Sequence, residues 1–285
     1  MQNNKLKGIS FILLAALGFS LMSFFVRLSG DLPTMQKAFF RNFVALFVAS
    51  IAIIKSKDSL KIQKGNRLDL FMRCACGTTG LIANFYAIDR LGIADANMLN
   101  KLSPFFAIIL SIFILKEIPV RFDILTTIAA FIGSLFIIRP TGNFSAVFPA
   151  LIGLLGGLGA GTAYTFVRKL GNRGVHTPVI VFYFSLFSSL VTLPALLFDY
   201  HPMSVKQWFF LILAGVAASL GQFSITTAYK YAPAKEISIF DYTQVIFAAV
   251  LGFLFLHQKI EPLSIIGYIL IIGMAVLRWR RNNRA

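Results

Sequence analysis

Residues 149–168 read PALIGLLGGLGAGTAYTFVR, and 141 positions earlier residues 8–27 read GISFILLAALGFSLMSFFVR. Both stretches are apolar, both carry small residues, and both end in Phe-Val-Arg. The same offset aligns the rest of the two halves without a gap, so that Gly80, for example, falls on Gly221. A long internal repeat in so apolar a chain predicts a membrane protein built by duplication.

The composition places most of the 285 residues in lipid. Hydrophobic residues make up 57% of the chain and charged residues 13%, more apolar surface than a soluble domain could bury. Lipid cannot satisfy free backbone N–H and C=O groups, so each long apolar stretch is predicted to be an α-helix, and the fold class an all-α polytopic membrane protein. Ten such spans can be read: 8–26, 36–54, 68–88, 95–115, 122–138, 148–167, 177–197, 207–229, 236–256 and 263–278.

The net charge is +16, and the Lys and Arg residues follow the positive-inside rule, by which cytoplasmic loops of membrane proteins carry an excess of basic residues. With the N-terminus inside, 18 Lys and Arg residues fall in inner segments. The five in outer segments are Arg27, Arg90, Arg139, Lys206 and Lys259. This bias predicts a multi-pass protein of the cytoplasmic membrane with both termini in the cytoplasm. The basic charge is assigned to topology and to the lipid bilayer, and no nucleic-acid partner is expected.

Five spans per half is an odd number, which predicts that the second repeat enters the membrane upside down relative to the first. The two units are residues 1–140 and 148–281. Two similar halves in opposite orientations give two similar states, one open to each side of the membrane. Ten transmembrane helices in two inverted five-helix repeats therefore predict a transporter that works by alternating access.

Small residues predict where helices pack closely. The sixth span has a small residue at every fourth position, Gly153, Gly157 and Gly161, and the third and eighth spans carry equivalent small patches around Gly80 and Gly221. Such surfaces let neighbouring backbones approach each other.

Short motifs resemble those of the drug/metabolite transporter superfamily, in its ten-helix members made of two EamA-type repeats. The residues that carry the resemblance are Arg41, Tyr86-Ala87, Leu91, Ser103-Pro104, Glu117, Gly133, Ala228-Tyr229, Ala232-Pro233, Gly267 and Gly273. Two positions depart from the pattern: Gln258 stands where a Glu is expected, and Val245 matches Pro104. The resemblance implies a ten-helix permease with a central cavity between the repeats.

Charged residues inside spans are candidates for that cavity, because each costs at least about 2.5 kcal/mol in the bilayer centre. Arg41, Lys101 and Asp241 are such residues. At 1.5 Å per residue, Lys101 and Asp241 would lie about 8–9 Å below opposite faces of a bilayer about 30 Å thick. A direct ion pair is therefore not expected. Arg73 lies one turn into its span, where snorkelling to the surface is expected.

Uncharged polar residues complete the candidate binding site. Asn97, Asn100 and Lys101 share one helical face, and Asp241 and Tyr242 occupy the equivalent face of the ninth span. The remaining candidates are Asn84, Tyr164, Tyr183, Gln222 and Thr226. Hydrogen bonding between helices remains an alternative role for the Asn, Gln and Thr residues.

Two buried cations against one acid favour a small-molecule solute with a carboxylate, with an amino acid as the simplest example. Arg41 or Lys101 would hold the carboxylate and Asp241 the ammonium group, or Asp241 would bind a coupling proton. Secondary-active and facilitative transport both remain open, as does oligomeric state. The runner-up is a proton-coupled exporter of lipophilic cations or drugs. An intramembrane enzyme is disfavoured, because H-E-x-x-H and a second spanning acid are absent from the sequence, and the absence of a Walker A loop disfavours an ATP-driven pump. A receptor is disfavoured because it would not need inverted repeats, and no cofactor or metal is expected.

Overall fold

The computed structural model describes residues 2–91, 93–138, 147–256 and 262–284, and nearly all of them are helical. The α-helices, in chain order, are α1 Gln2–Leu28, α2 Thr34–Ser56, α3 Arg67–Leu91, α4 Ile93–Asn100, α5 Ser103–Leu115, α6 Arg121–Ile138, α7 Val147–Asn172, α8 Thr177–Phe198, α9 Val205–Tyr231, α10 Ala234–Ile237, α11 Thr243–Leu256 and α12 Pro262–Arg284. Short 3-10 helices cover Lys64–Asn66 and Ser238–Tyr242. Arg139, Gln258 and Lys259 lie outside the described residues.

Two of the predicted spans are each built from two helices. α4 and α5 form one pass and α10 and α11 another, so the described residues make ten helical passes. Seven of these passes are long and apolar enough to cross a membrane by length and composition. The predicted all-α membrane protein is confirmed, and the predicted span limits differ from the helix ends by a few residues.

The two halves pack against each other through pairs of helices. A shift of 141 residues relates each pair to an equivalent pair, or to itself. α1 packs against α9, and the equivalent pair is α7 against α3. α1 also packs against α11, and the equivalent pair is α7 against α5. The pairs α2–α8 and α6–α12 each join two equivalent helices. The same contacts therefore recur when the two halves are exchanged.

Glycines at equivalent positions allow the closest of these contacts. A Cβ atom at Gly18 in α1 would lie 2.7 Å from the backbone N of Gly221 in α9. A Cβ at the equivalent Gly159 in α7 would lie 2.8 Å from the Cα of Gly80 in α3. No side chain fits at such distances, so the predicted packing role of these small residues is confirmed.

The glycine stripe of the sixth span serves a second contact. A Cβ at Gly157 would lie 2.6 Å from the carbonyl oxygen of Leu99, and one at Gly161 would lie 2.7 Å from that of Ser103. Leu99 and Ser103 stand on either side of the gap between α4 and α5. α7 therefore packs with its backbone directly against the point where this pass is broken.

Ion pairs join the halves at the end of the bundle where α1 begins and α12 ends, which we name the terminal face. Each pair links one half to the other: Lys5–Glu236, Glu117–Arg168, Asp69–Lys169, Asp69–Arg173 and Asp123–Arg278. Arg168 also donates to the carbonyl oxygen of Lys230 at 2.8 Å. These contacts join the two halves at the terminal face.

Candidate functional site

Two helix breaks at related positions meet inside the bundle. The first lies between α4 and α5, where Pro104 stands in the first turn of α5. The second is the 3-10 segment Ser238–Tyr242, which α5 contacts. Broken helices within membrane proteins leave backbone groups free to bind other groups, and in transporters they commonly form the solute site.

Lys101 and Asp241 form an ion pair at this junction. Their side chains are buried, and Lys101 Nζ lies 3.0 Å from Asp241 Oδ2. The same ammonium group donates to Gln244 Oε1 at 2.7 Å and approaches the carbonyl oxygen of Asp241 at 3.4 Å. All three of its N–H bonds therefore have an acceptor within reach.

The Tyr242 hydroxyl donates to the carbonyl oxygen of Lys101 at 3.0 Å. Residues 101 and 242 are equivalent in the repeat, so this hydrogen bond joins a position to its own counterpart in the other half. The two halves therefore meet through equivalent positions at the junction of the two breaks.

The expectation that Lys101 and Asp241 do not pair was wrong. It treated both passes as continuous α-helices that rise 1.5 Å per residue from opposite faces. Each pass instead is broken near the residue in question, and the breaks pack against each other at the same level. Depth counted along the sequence therefore does not give depth in the bundle at these two positions.

Arg41 lies on α2 and is a buried cation without a counter-charge in the described part of the chain. The residue is 6% exposed, and its guanidinium makes no hydrogen bond or ion pair with a residue in the described part of the chain. Its Nε is enclosed by protein. Arg41 interacts electrostatically with Tyr164 and, unfavourably, with Arg73. Two positive groups therefore face one region of the bundle.

Arg73 on α3 does not snorkel to the surface as expected; it is 2% exposed. Its guanidinium donates to Gln222 Oε1 at 3.2 Å and lies over the ring of Phe184, 4.1 Å from the centroid. Gly77, one turn further along α3, leaves room for the side chain, since a Cβ there would overlap Arg73 Nη1. The absent Cβ and the aromatic ring together give the arginine an interior site.

Tyr164 on α7 connects these groups. It is half-buried, its ring stacks on Tyr229 with centroids 5.0 Å apart, and its hydroxyl interacts electrostatically with Arg41, Arg73 and Asp241. We name Arg41, Arg73, Tyr164 and Gln222 the arginine centre. It adjoins the Lys101–Asp241 pair, and together they place three cations and one carboxylate in the middle of the protein.

The other predicted site residues take different positions. Thr226 is fully buried and Asn84 half-buried, and each has a side-chain oxygen without a hydrogen-bond partner in the described part of the chain. Asn100 is half-buried and Asn97 exposed, so their helical face is not uniformly enclosed. Tyr183 donates to the carbonyl oxygen of Leu60 at 2.8 Å, beside the α2–α3 loop and away from the arginine centre.

Two residues were missed from the sequence: Arg73 of the arginine centre, and Gln244, which accepts a hydrogen bond from Lys101. Gln244 follows Asp241 at a spacing of three, which is one helical turn and could have been included on that ground. Arg73 carried a weaker signal, the small Gly77 four residues later on the same face.

A duplicated bundle with broken helices and uncompensated charge at its centre is the architecture of a membrane transporter. The model of the EamA-like transporter family matches this chain twice, over residues 6–139 and 147–279. The chain belongs to the EamA-like transporter family, and it is a transporter rather than an enzyme, as predicted.

Three relatives that are named as transporters or solute carriers align with this chain over most of their length. The chain is 31% identical to the pseudopaline exporter CntI of Pseudomonas aeruginosa. The alignment spans 267 residues and covers 93% of each protein. It is 26% identical to an uncharacterized transporter of Helicobacter pylori, over 97% of this chain and 96% of that one. It is 25% identical to human solute carrier family 35 member G1, over 97% of this chain and 81% of that one.

A solved crystal structure of another protein has the same fold. It superposes with a TM-score of 0.86, at 13% sequence identity, and the superposition covers 99% of both chains.

Proposed function

We propose that this transporter moves a small solute that bears a carboxylate, and that Arg41 holds the carboxylate. The observation that carries the proposal is the isolation of Arg41, a buried guanidinium without a hydrogen bond or counter-charge among the described residues. A buried charge costs several kcal/mol unless it is paired. A guanidinium matches a carboxylate with two parallel hydrogen bonds, so an anionic solute would remove this cost.

The rest of the arginine centre supports the same solute class. Arg73 adds a second positive charge whose hydrogen-bond partner, Gln222, is neutral. Lys101 is neutralised by Asp241, so the carboxylate is assigned to Arg41 rather than to Lys101. Asp241 is likewise occupied, and the ammonium group of an amino acid would instead meet the Tyr164–Tyr229 ring stack. An amino acid and a simple organic acid are the two candidates.

Inverted repeats and alternating access fit the packing of the halves. We assign the repeats to residues 1–140 and 148–281, and the exchanged helix contacts support a two-fold relation between them. The ion pairs of the terminal face separate when that face opens. The positive-inside bias supports a cytoplasmic terminal face in the cytoplasmic membrane, so the conformation described is closed towards the cytoplasm.

Export is the direction to test first, because the relative from Pseudomonas aeruginosa is a pseudopaline exporter. Secondary-active transport is favoured over facilitative transport by the Lys101–Asp241 pair. Protonation of the carboxylate would remove one charge of the pair and release the contact between the two helix breaks. Proton coupling through Asp241 follows as part of the proposal.

Transport into proteoliposomes tests the proposed solute class. Purified protein is assayed with amino acids, organic acids, nucleotides and quaternary amines, with and without a pH gradient. Arg41→Gln is expected to lower the transport efficiency for the preferred anion at least about 100-fold, the loss of two charge-assisted hydrogen bonds. Arg41→Lys keeps the charge but not the paired geometry and should lose about tenfold.

Lys55→Gln is the matched control, because Lys55 is an exposed cation at the far end of the same helix, α2. It should transport like the unaltered protein. Transport of cations alone, or an Arg41→Gln variant with unchanged anion transport, would show that Arg41 does not bind the solute. The first of these results would favour the exporter of lipophilic cations.

A further inference from the structure

A cavity of about 520 Å³ opens on the side of the bundle between α3 and α8, outside the arginine centre. Its walls are apolar and include Leu70, Leu186 and Phe187. Phe71 and Leu190 stand at its opening and are 55% and 58% exposed, so the cavity opens towards the lipid. We name it the side pocket. Its volume lies in the range of small-molecule binding sites.

Two cations stand at the mouth of the side pocket. Lys61 lies in the α2–α3 loop and Arg67 begins α3, and both are exposed lining residues. Neither side chain makes a hydrogen bond or ion pair to the described parts of the chain. Nearby, Lys169 and Arg173 both pair with the single carboxylate of Asp69. The charges at the mouth of the pocket are therefore available to a ligand.

The mouth of the pocket is held in place by the protein. Tyr183, itself a lining residue, donates to the carbonyl oxygen of Leu60 and so fixes the loop that carries Lys61. Asp58 in the same loop forms a hydrogen bond with the ring of His176, just before α8. The Ser56 hydroxyl holds the pKa of Asp58 below its usual range, and the carboxylate stays ionised at neutral pH.

The position of the pocket defines the ligand. α2 ends at Ser56 and α3 begins at Arg67, so the mouth lies where the helices leave the membrane and the walls extend into its apolar part. A ligand that fits both parts has an anionic head and a hydrocarbon tail. We propose that the side pocket binds one anionic phospholipid, with its phosphate between Lys61 and Arg67 and an acyl chain against Leu186 and Phe187.

Native mass spectrometry of the detergent-solubilised protein tests this assignment. Phosphatidylglycerol and phosphatidylethanolamine with the same acyl chains are titrated, and phosphatidylglycerol is expected to bind more tightly. One basic residue near an anionic lipid contributes roughly a fivefold gain, so K61Q/R67Q should weaken phosphatidylglycerol about 25-fold. The control K55Q/K57Q removes two exposed charges beside the same loop but outside the pocket, and should leave the affinity unchanged.

Leu186→Trp tests the acyl-chain part, because it fills the pocket and leaves the charges at its mouth in place. It should weaken both phospholipids, and thermal unfolding confirms that the variants are folded. Equal losses in K61Q/R67Q and K55Q/K57Q would show non-specific attraction and overturn the proposal. Unchanged binding in Leu186→Trp, or displacement of the phospholipid by millimolar inorganic phosphate, would overturn it as well. Arg41 lies elsewhere, so these outcomes are independent of the transported solute.

Discussion

Neutralising one member of the Lys101–Asp241 pair should destabilise the protein strongly, and neutralising both should not. Both residues are less than 10% exposed, and Asp241→Asn leaves the Lys101 ammonium group with only neutral acceptors. Removing one partner of a buried ion pair costs about 3–5 kcal/mol, whereas replacing both is often neutral. Since 1 kcal/mol shifts Tm by about 2–4 °C in a chain of this size class, each single variant should lose about 6–20 °C.

The assay is thermal unfolding in detergent, followed by the fluorescence of Trp208 and Trp279. The variants are Lys101→Met, Asp241→Asn and the double K101M/D241N, with the exposed Lys55→Met as control. The double variant should recover most of the Tm lost in either single variant, and the control should stay within about 2 °C of the unaltered protein. Single variants within 2 °C of the unaltered protein, or a double variant as unstable as the worse single one, would refute the reasoning.

Three further predictions concern the ion pair, the close helix contacts and the hydrogen bond between the two breaks. The double variant K101M/D241N should lose the dependence of transport on a pH gradient and keep solute exchange in proteoliposomes; an unchanged pH dependence would exclude Asp241 as the coupling site. Gly18→Ala should cost about 1–3 kcal/mol in thermal unfolding, since its Cβ meets the α9 backbone, whereas Gly273→Ala, with nothing within 4 Å, should not destabilise. Tyr242→Phe should cost about 1–2 kcal/mol by leaving the Lys101 carbonyl without its donor, and an unchanged Tm would show that this hydrogen bond contributes nothing.

The helical passes were predictable because lipid forces each long apolar stretch into a helix. The repeat was equally visible, since the 141-residue offset aligns glycines such as Gly18 and Gly159, which the structure shows at equivalent contacts. The breaks were not predicted. The first interruption is Lys101-Leu102, directly before Ser103-Pro104, and the polar residues there were interpreted as one face of a continuous helix.

The errors at the candidate site have a common physical cause. Distance from the end of a span was used as a measure of depth and exposure, and three-dimensional packing decided otherwise for Lys101 and Arg73. Arg41 was identified because a charge well inside an apolar run is unusual in any helix geometry. Whether Arg73 reaches the surface depends on Phe184 and Gln222, which lie on other helices more than 100 positions away.

The hydrogen bond between Tyr242 and Lys101 also bears on how the chain arose. In an assembly of two separate identical chains, every residue on the two-fold axis is present twice and meets its own copy. In such an ancestor, Lys and Asp would each occur twice at this junction or not at all. Two Lys and two Asp would be twice as many buried charges to desolvate. Joining the copies into one gene let the positions diverge, so that one Lys faces one Asp. The single ion pair is thus a feature that two identical chains could not encode.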